Sequence, residues 1–281
     1  MDLNTVEELD RPKGGAAVAA RAGRLNDSEA WLAGGTWLFS EPQPRVSKLV
    51  DITGAGWAPL TINTCGLEIA ATCTVAELDA LRTPEDWRAA HLIGACSRAF
   101  LASFKIWNVA TVGGNLCMGL PAGPMISLTA SLDGACRIFG RDGSEWEVPA
   151  LDFVVGPQQT VLRPGELLRS IRIPVDRLRR PAAFRRIALS PMGRTGALVI
   201  GTLAPSGGID ITITGATPRP VRIAFHTVPD ATSAARAVDA AIPVGGWYDD
   251  VHGSPEWRRA MVKEFAGEIS EELGAAARMR Q

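Results

Sequence analysis

Two pairs of adjacent glycines interrupt apolar parts of this chain, and they constrain its fold more than any other feature. Gly34-Gly35 precedes Thr36, and Gly113-Gly114 lies between Thr111 and Asn115 in the stretch NVATVGGNLCMG. Glycine loses much conformational freedom on folding, so it is usually found where φ is positive or where a ligand needs room. Each pair therefore predicts a sharp turn or a ligand.

A diphosphate is the ligand that two such segments would suit. Successive backbone amides in a glycine turn form a concave, positively polarised surface that binds phosphate. Two of these surfaces, Ala33–Thr36 and Thr111–Asn115, could hold a diphosphate from both sides. Neither segment fits the Walker pattern or the GxGxxG fingerprint, which disfavours a P-loop and a Rossmann site. Each pair by itself is also compatible with an ordinary turn.

Composition limits the class of partner. Hydrophobic residues make up 46% of the 281 residues, charged residues 21%, and the formal net charge is -1. With no extended basic cluster, we expect no nucleic-acid partner. No apolar run approaches the roughly 18 residues of a transmembrane helix, and the acidic N-terminus does not look like a signal peptide. We therefore expect a cytoplasmic protein without a membrane partner.

The cysteines and histidines indicate no metal site. Five cysteines, an odd number without CxxC spacing, argue against a disulfide framework and against an iron-sulfur cluster held by this chain alone. Buried small side chains are the expected role of Cys65, Cys73, Cys96, Cys117 and Cys136. The three histidines are scattered along the chain, so we expect no metal ligands among them.

The local patterns predict a chain of mixed elements. Thr74 and Glu77 fit a capping box that would begin a helix over 75–82, and 91–103 is predicted as a second helix. Leu167–Pro174 alternates with period two, as expected of a strand. Further strands are predicted at 30–33, 47–52, 60–63, 67–70, 135–139, 146–148, 197–203 and 209–214.

The C-terminal region carries two further signals. The basic, proline-ended segment Arg177–Pro181 is a plausible domain boundary. From Glu256 onward, apolar residues recur every four positions on one predicted helix face, which favours a core stripe over a subunit interface. This stripe comprises Trp257, Met261, Phe265, Ile269 and Leu273.

Four segments occur in an order found in one family: AGGTWL, NVATVGGNL, PAGPMISLTASLDG and GELLRSIRIP. On these motifs, essentially the whole chain resembles the FAD-binding medium subunit of molybdenum hydroxylases, the family of carbon monoxide dehydrogenase flavoprotein and the xanthine dehydrogenase FAD domain. The resemblance implies an α+β fold of the vanillyl-alcohol oxidase and p-cresol methylhydroxylase type. It implies FAD-binding subdomains at 1–58 and 59–176, and a C-terminal α+β domain at 181–281 like that of carbon monoxide dehydrogenase flavoprotein.

The resemblance also implies where FAD binds. Ala33, Gly34, Gly35 and Thr36, with Thr111, Val112, Gly113, Gly114 and Asn115, would hold the diphosphate through backbone amides. The side chains of Thr36, Thr111 and Asn115 would add hydrogen bonds. Leu168 matches a residue near the flavin ring, and Arg186 stands where relatives have a lysine that could stabilise negative charge on reduced flavin.

This chain departs from the family at several positions. Pro124 replaces an aspartate that holds the ribose or adenine end of FAD, and proline offers neither an acceptor side chain nor an amide. Trp107 stands where an arginine is common. Ser190 and Arg194 lie near the positions of an arginine and an aspartate at the flavin edge. Arg186 replaces lysine, and a planar guanidinium is not equivalent to an ammonium.

The function implied by the resemblance is electron transfer without catalytic residues in this chain. A large molybdopterin subunit would oxidise the substrate, and a small subunit with two [2Fe-2S] clusters would pass electrons to FAD. The flavin would deliver them to NAD+, oxygen or a quinone, in a heterotrimer or a dimer of heterotrimers. Two alternatives stay open: a structural or assembly subunit that has lost FAD, and a free-standing flavin oxidase.

Overall fold

The computed structural model describes residues 4–279, without the side chain of Asp142. Its strands are β1 (Glu8–Asp10), β2 (Glu29–Leu32), β3 (Lys48–Asp51), β4 (Leu60–Asn63), β5 (Gly66–Ala70), β6 (Ala135–Phe139), β7 (Glu145–Pro149), β8 (Val154–Gly156), β9 (Gln159–Thr160), β10 (Leu167–Pro174), β11 (Ala182–Ile187), β12 (Ala197–Leu203), β13 (Ile209–Thr214) and β14 (Val221–Phe225). Its helices are α1 (Gly15–Ala19), α2 (Val75–Asp79), α3 (His91–Ala99), α4 (Phe104–Trp107), α5 (Val112–Met118), α6 (Pro124–Ser131), α7 (Ala150–Phe153), α8 (Val175–Leu178), α9 (Ala231–Ala241) and α10 (Pro255–Arg278).

The N-terminal sheet is small and parallel. Strands β1 and β2 both pair with β3, in the order β1-β3-β2. Its core is joined to the next sheet through Trp57, whose ring lies 6.1 Å from that of Phe139 and under the guanidinium of Arg169. The indole nitrogen of Trp31 also donates to the Glu166 carbonyl at 3.1 Å. The first glycine segment therefore leaves β2 at the boundary between two packed sheets.

The second sheet is antiparallel, with β10 in its centre, in the order β4-β5-β10-β6-β7. The predicted strand β10 is confirmed, but its alternation holds only at its end, where Arg172 is exposed between the buried Ile171 and Ile173. Earlier in the strand, adjacent residues are buried and the pairing with β6 shifts register between Leu168 and Ser170. The strands predicted at 60–63, 67–70, 135–139 and 146–148 are also confirmed, and they form two antiparallel hairpins. Gly66 belongs to strand β5, where it pairs with Asn63, so the turn itself comprises residues 64–65.

Helices on this sheet position the second glycine pair. The capping box of Thr74 and Glu77 is confirmed, although α2 ends at Asp79. The helix predicted over 91–103 was too long, because α3 ends at Ala99. The Phe100 amide still donates to Cys96 and Ser97, but its carbonyl accepts from the Trp107 indole at 3.0 Å. That bond folds the chain back into the separate helix α4.

The third sheet is an antiparallel meander in the order β11-β12-β13-β14. Strand β12 is buried along its whole length, since it contributes to two hydrophobic cores. One face contacts the main core, formed by the second sheet with α3, α5 and α6, and the other belongs to a core shared with α9 and α10. Leu198 and Ile200 belong to the first of these cores, and Val199 to the second. A hydrogen bond of 2.7 Å between the hydroxyls of Ser127 and Thr214 also joins α6 to β13.

A buried apolar stripe on the C-terminal helix α10 is confirmed, but it is centred on other residues than those predicted. Ile269 and Leu273 are buried, whereas Trp257, Met261 and Phe265 are only partly covered. The fully buried positions near them include Val262, Ala266 and, unexpectedly, Arg258. Within residues 4–279, no helix is both long enough and apolar enough to cross a bilayer.

The predicted boundary at Arg177–Pro181 lies at a charged contact between the second and third sheets. Arg177 forms ion pairs with Asp133, which precedes β6, and with Asp210 of β13 at 3.4 Å. Arg222 of β14 also pairs with Asp133. These bonds fasten the third sheet to the structure that carries the second glycine pair.

Candidate functional site

The two glycine segments, 79 positions apart in the sequence, lie against each other in the fold. A Cβ atom on Gly34 would overlap the carbonyl group of Val109 and come within 3.2 Å of the Ala110 Cα. Gly35 has a φ of +68°, and a Cβ there would lie 2.6 Å from the Phe39 ring. The first pair is therefore required by a backbone contact and by a left-handed turn.

The first segment presents unpaired backbone donors. Within the described residues, the amides of Gly34, Gly35 and Thr36 donate to no acceptor of the chain. All three residues are partly exposed. Clustered unpaired N–H groups are suited to anions, and the diphosphate contact predicted for this segment stays a prediction.

The second segment does not form a nest of open amides, which corrects the expectation from sequence. Thr111 is the N-cap of α5, and Val112 to Asn115 form its first turn. The Val112 amide donates to Cys73 at 2.8 Å and the Gly113 amide to Ala71 at 3.1 Å. The Gly114 amide donates to the Thr111 hydroxyl at 3.0 Å, and the Asn115 amide to the Thr111 carbonyl at 3.0 Å. Helix starts normally leave such donors unsatisfied, but here the chain supplies every partner.

The two glycines of the second pair have different environments. A Cβ on Gly113 would lie 2.6 Å from the Cα and the carbonyl oxygen of Ala71. Gly113 is therefore explained by the close contact between α5 and the end of β5. A Cβ on Gly114 would meet only the Thr111 hydroxyl, at 3.0 Å, and Gly114 is exposed. Only the Gly114 side of the pair is open to a ligand.

Asn115 connects this helix to a neighbouring cleft. Its side-chain oxygen accepts from the Met125 amide at 3.1 Å, at the start of α6. The side-chain NH2 group is then left to donate elsewhere. Pro124 is buried at the first position of α6, where its missing amide leaves no broken hydrogen bond.

The cleft beside Asn115 has a volume of about 250 Å³. Its walls come from the chain after α3, from the start of α6, and from the loop between β11 and β12. They are mostly apolar, and Arg194 is the only charged residue among them. The wall residues are Ala99, Phe100, Leu101, Asn115, Leu120, Ala122, Gly123, Pro124, Met192, Arg194 and Thr195.

Arg186 lies beneath the loop between β11 and β12 rather than pointing freely into the cleft. Its Nε donates to the Thr195 hydroxyl at 2.7 Å, and a terminal nitrogen donates to the Gly193 carbonyl at 2.6 Å. Burial lowers the pKa of the guanidinium below its ordinary value. The Leu168 side chain is only 1% exposed and packs in the main core. The cofactor contacts predicted for Arg186 and Leu168 stay predictions.

A second arginine, Arg258, holds the base of the same loop, and no sequence pattern indicated this role. Its guanidinium donates to the carbonyls of Gly196 and Gly253, each at 2.9 Å, to the Gly215 carbonyl and to Asp250. Sequence reasoning missed this residue, because a single arginine beside the apolar face of a helix is usually exposed to solvent. The position could have been found only from the register of α10 on the third sheet.

The cysteines divide into two groups. Cys73, Cys96 and Cys136 are buried, as expected, and burial raises the pKa of Cys73 to about 12. Cys65 and Cys117 are exposed, so the expectation of burial was wrong for these two. Among the described residues, no group of three or more histidine, cysteine or acidic side chains is arranged to hold a metal ion.

The sequence pattern of a known family, described as the FAD binding domain in molybdopterin dehydrogenase, matches residues 14–176. This match includes both glycine segments and strand β10. The chain belongs to this family. It is therefore an FAD-binding component of a molybdopterin-dependent oxidoreductase, as the sequence predicted.

Individual relatives agree with this assignment. The chain is 27% identical over 273 residues to the carbon monoxide dehydrogenase medium chain of Afipia carboxidovorans, which covers 90% of this chain and 92% of that relative. It is 31% identical over 125 residues to xanthine dehydrogenase 2 of Arabidopsis thaliana. That second match covers 42% of this chain but only 9% of the plant protein. The first of these matches thus extends over nearly the full length of a medium chain.

Solved structures show the fold over nearly the whole chain. Reconstituted CO dehydrogenase from Oligotropha carboxidovorans matches with a TM-score of 0.81 at 24% identity, covering 96% of this chain and 98% of that one. Quinoline 2-oxidoreductase from Pseudomonas putida 86 matches with a TM-score of 0.75 at 20% identity, covering 97% and 98%. The mixed α+β fold of carbon monoxide dehydrogenase flavoproteins, with its C-terminal part, is confirmed.

Proposed function

We propose that this chain carries FAD between the clusters of a partner subunit and an external electron acceptor. The bound flavin would supply the redox chemistry, and the chain would supply its binding site and electrostatic surroundings. The observation that carries this proposal is the contact between Gly34 and Val109, which brings the unpaired amides of the first glycine segment against the chain that leads into α5. Both features lie within the segment that matches the FAD-binding family.

The residues present fit the diphosphate of FAD. The amides of Gly34, Gly35 and Thr36 are unpaired donors within the described residues, and a diphosphate is an acceptor for such donors. Gly114 has no side chain to block an approach over α5. Asn115 would add its side-chain NH2 group, and Thr111 would act mainly by capping α5.

The finer architecture is part of the same proposal. We assign 1–58 and 59–176 to the two FAD-binding subdomains of the vanillyl-alcohol oxidase and p-cresol methylhydroxylase type, and 181–281 to a C-terminal domain. The parallel sheet, the antiparallel sheet and the four-stranded meander support these divisions. Between the first two, a cofactor would run along the line where the glycine segments meet.

The partners follow from the chemistry that this chain lacks. No cysteine set suitable for an iron-sulfur cluster is present among the described residues. We propose a small subunit with two [2Fe-2S] clusters as the electron donor and a large molybdopterin subunit as the site of substrate oxidation. The acceptor would be NAD+, oxygen or a quinone, and the assembly a cytoplasmic heterotrimer or its dimer.

Flavin content after substitution of Gly114 tests the cofactor site. Gly114→Val places a branched side chain over the open turn of α5, where the present structure has no neighbour within 4 Å except the Thr111 hydroxyl. We expect the purified chain to lose bound FAD, while the thermal unfolding of its apo-protein stays close to that of the wild-type apo-protein. Cys117→Ala, also on an exposed position of α5, should retain the flavin content of the wild type.

Three results would contradict the proposal. A Gly114→Val variant that retains the full flavin content would show that the diphosphate does not bind at this site. A wild-type chain that purifies colourless with larger subunits, and takes up no added FAD, would instead support the structural-subunit alternative. A yellow monomer that oxidises a small alcohol unaided would support the free-standing oxidase.

A further inference from the structure

We propose that Arg194 is a cofactor-binding residue, whose guanidinium donates to the acceptor edge of the FAD ring system in the cleft beside Asn115. This inference rests on the proposed function and deepens it. It assigns a charged contact to a residue that was not among the cofactor-binding residues predicted from the sequence.

The cleft has the size and lining for a ring. Its volume of about 250 Å³ is below the ~300–1,000 Å³ of pockets that enclose a drug-sized ligand, so it would hold one end of a dinucleotide. Apolar walls from Phe100, Leu101 and Met192 suit the faces of a planar heteroaromatic system. Asn115 connects this cleft to the diphosphate site.

Arg194 is the only charged residue of the cleft wall. It is exposed, and within residues 4–279 it forms no ion pair or side-chain hydrogen bond. The other two arginines near this loop are occupied: Arg186 donates to the loop itself, and Arg258 donates to carbonyls at its base. Arg194 is therefore the guanidinium that remains available to a ligand.

The loop presents Arg194 from a fixed base. The Gly196 amide donates to the Ile187 carbonyl at 2.9 Å, which closes the loop between β11 and β12. Arg186 holds Gly193 and Thr195, the two neighbours of Arg194 in the chain. A donor on such a support loses less freedom when it binds than one on a loose loop.

Both ring systems of FAD have in-plane acceptors that a guanidinium can meet. These are carbonyl oxygens and ring nitrogens in isoalloxazine, and ring nitrogens in adenine. Arginine stays protonated throughout the ordinary pH range, so its charge beside a ring is permanent. Beside isoalloxazine, this charge would favour the reduced, anionic form; beside adenine, it would contribute to affinity alone.

The test compares Arg194→Gln with the wild type and with Arg236→Gln, a control at an exposed arginine on α9 outside the cleft. Each full-length chain is loaded with FAD, and three quantities are measured: the FAD dissociation constant, the flavin midpoint potential and the dissociation constant for added sulfite. A hydrogen bond from a charged group contributes enough to predict a change of about tenfold or more in at least one dissociation constant.

The pattern of change identifies the ring. A more negative midpoint potential with weaker sulfite binding places isoalloxazine beside Arg194, and Arg194→Lys should then restore part of the potential. Weaker FAD binding with an unchanged potential places adenine there, and FMN binding should then be insensitive to the substitution. Both patterns support the inference.

Arg194→Gln that matches the wild type and Arg236→Gln in all three quantities would overturn the inference while leaving the proposed function intact. A wild-type chain that takes up no FAD would overturn the proposed function, and this inference with it. Because Arg194 is exposed and makes no contact within the described residues that holds the fold, unfolding of the variant is not expected to obscure the result.

Discussion

The carbonyl oxygen of Val109 occupies the space that a side chain on Gly34 would need. This contact joins a turn after the parallel sheet to the chain just before helix α5. It is the point at which two distant parts of the sequence become one candidate site.

Gly34→Ala should therefore separate the two segments. The added methyl group would overlap backbone atoms of Val109, which cannot move aside as a side chain can. We expect a loss of about 1–3 kcal/mol in the free energy of unfolding, as in other overpacked sites, together with weaker FAD binding. Urea unfolding and flavin content measure the two effects. Gly245→Ala, at an exposed glycine with nothing within 4 Å of the added atom, should be near neutral in both.

The two glycines of the second pair should respond differently to alanine. Gly113→Ala would press a methyl group against Ala71 at the end of β5 and destabilise the chain with or without FAD. Gly114→Ala should leave stability unchanged or raise it by up to ~1 kcal/mol, since alanine favours helix more than glycine does. Thermal unfolding of the two apo-proteins measures this difference in stability. Equal losses in the two variants would contradict the environments described for them.

The sequence predicted a sharp turn or a bound diphosphate at each glycine pair. For Gly34 and Gly113 the neighbour is the chain's own backbone, which no local pattern can reveal. Strand β10 and the capping box of α2 were predictable because a few adjacent residues determine them. The open amides expected at 112–115 were not found, because the amides of Val112 and Gly113 donate to the carbonyls of Cys73 and Ala71, which only the fold brings beside α5.

Arg258 should be among the most costly side chains to remove. It is 1% exposed and donates to several backbone carbonyls and to Asp250, all of which would lose a partner together. We expect Arg258→Ala to lower the free energy of unfolding by about 3–5 kcal/mol. Its neighbour Arg259 has an exposed ion pair with Asp239, so Arg259→Ala should lower the free energy of unfolding far less. Similar denaturation midpoints for the two variants would argue against a buried guanidinium.

The ion pairs of Asp239 with Arg259 and Lys263 should make part of the folding stability depend on pH. Hydrogen bonds from Arg259, and next from Lys263, lower the pKa of this carboxyl group to about 2. A carboxyl group with a lowered pKa in the folded state stabilises the fold above its unfolded pKa of roughly 3.9. This contribution declines as pH falls from there toward 2.

Asp239→Asn should therefore be less stable than the wild type at pH 7, by no more than about 1 kcal/mol because the pair is exposed. The difference between their melting temperatures should shrink as the pH is lowered toward 3. Asp27→Asn, at an exposed residue with no ion pair among those described, provides the control. A gap between Asp239→Asn and the wild type that stays constant with pH would contradict the ionic origin of the effect.

Helix α5 begins with every donor of its first turn already matched by an acceptor of the chain. Its formation does not have to wait for a nucleotide. We therefore expect the apo-chain to form this wall unaided, so that FAD would enter a site whose helix is already folded.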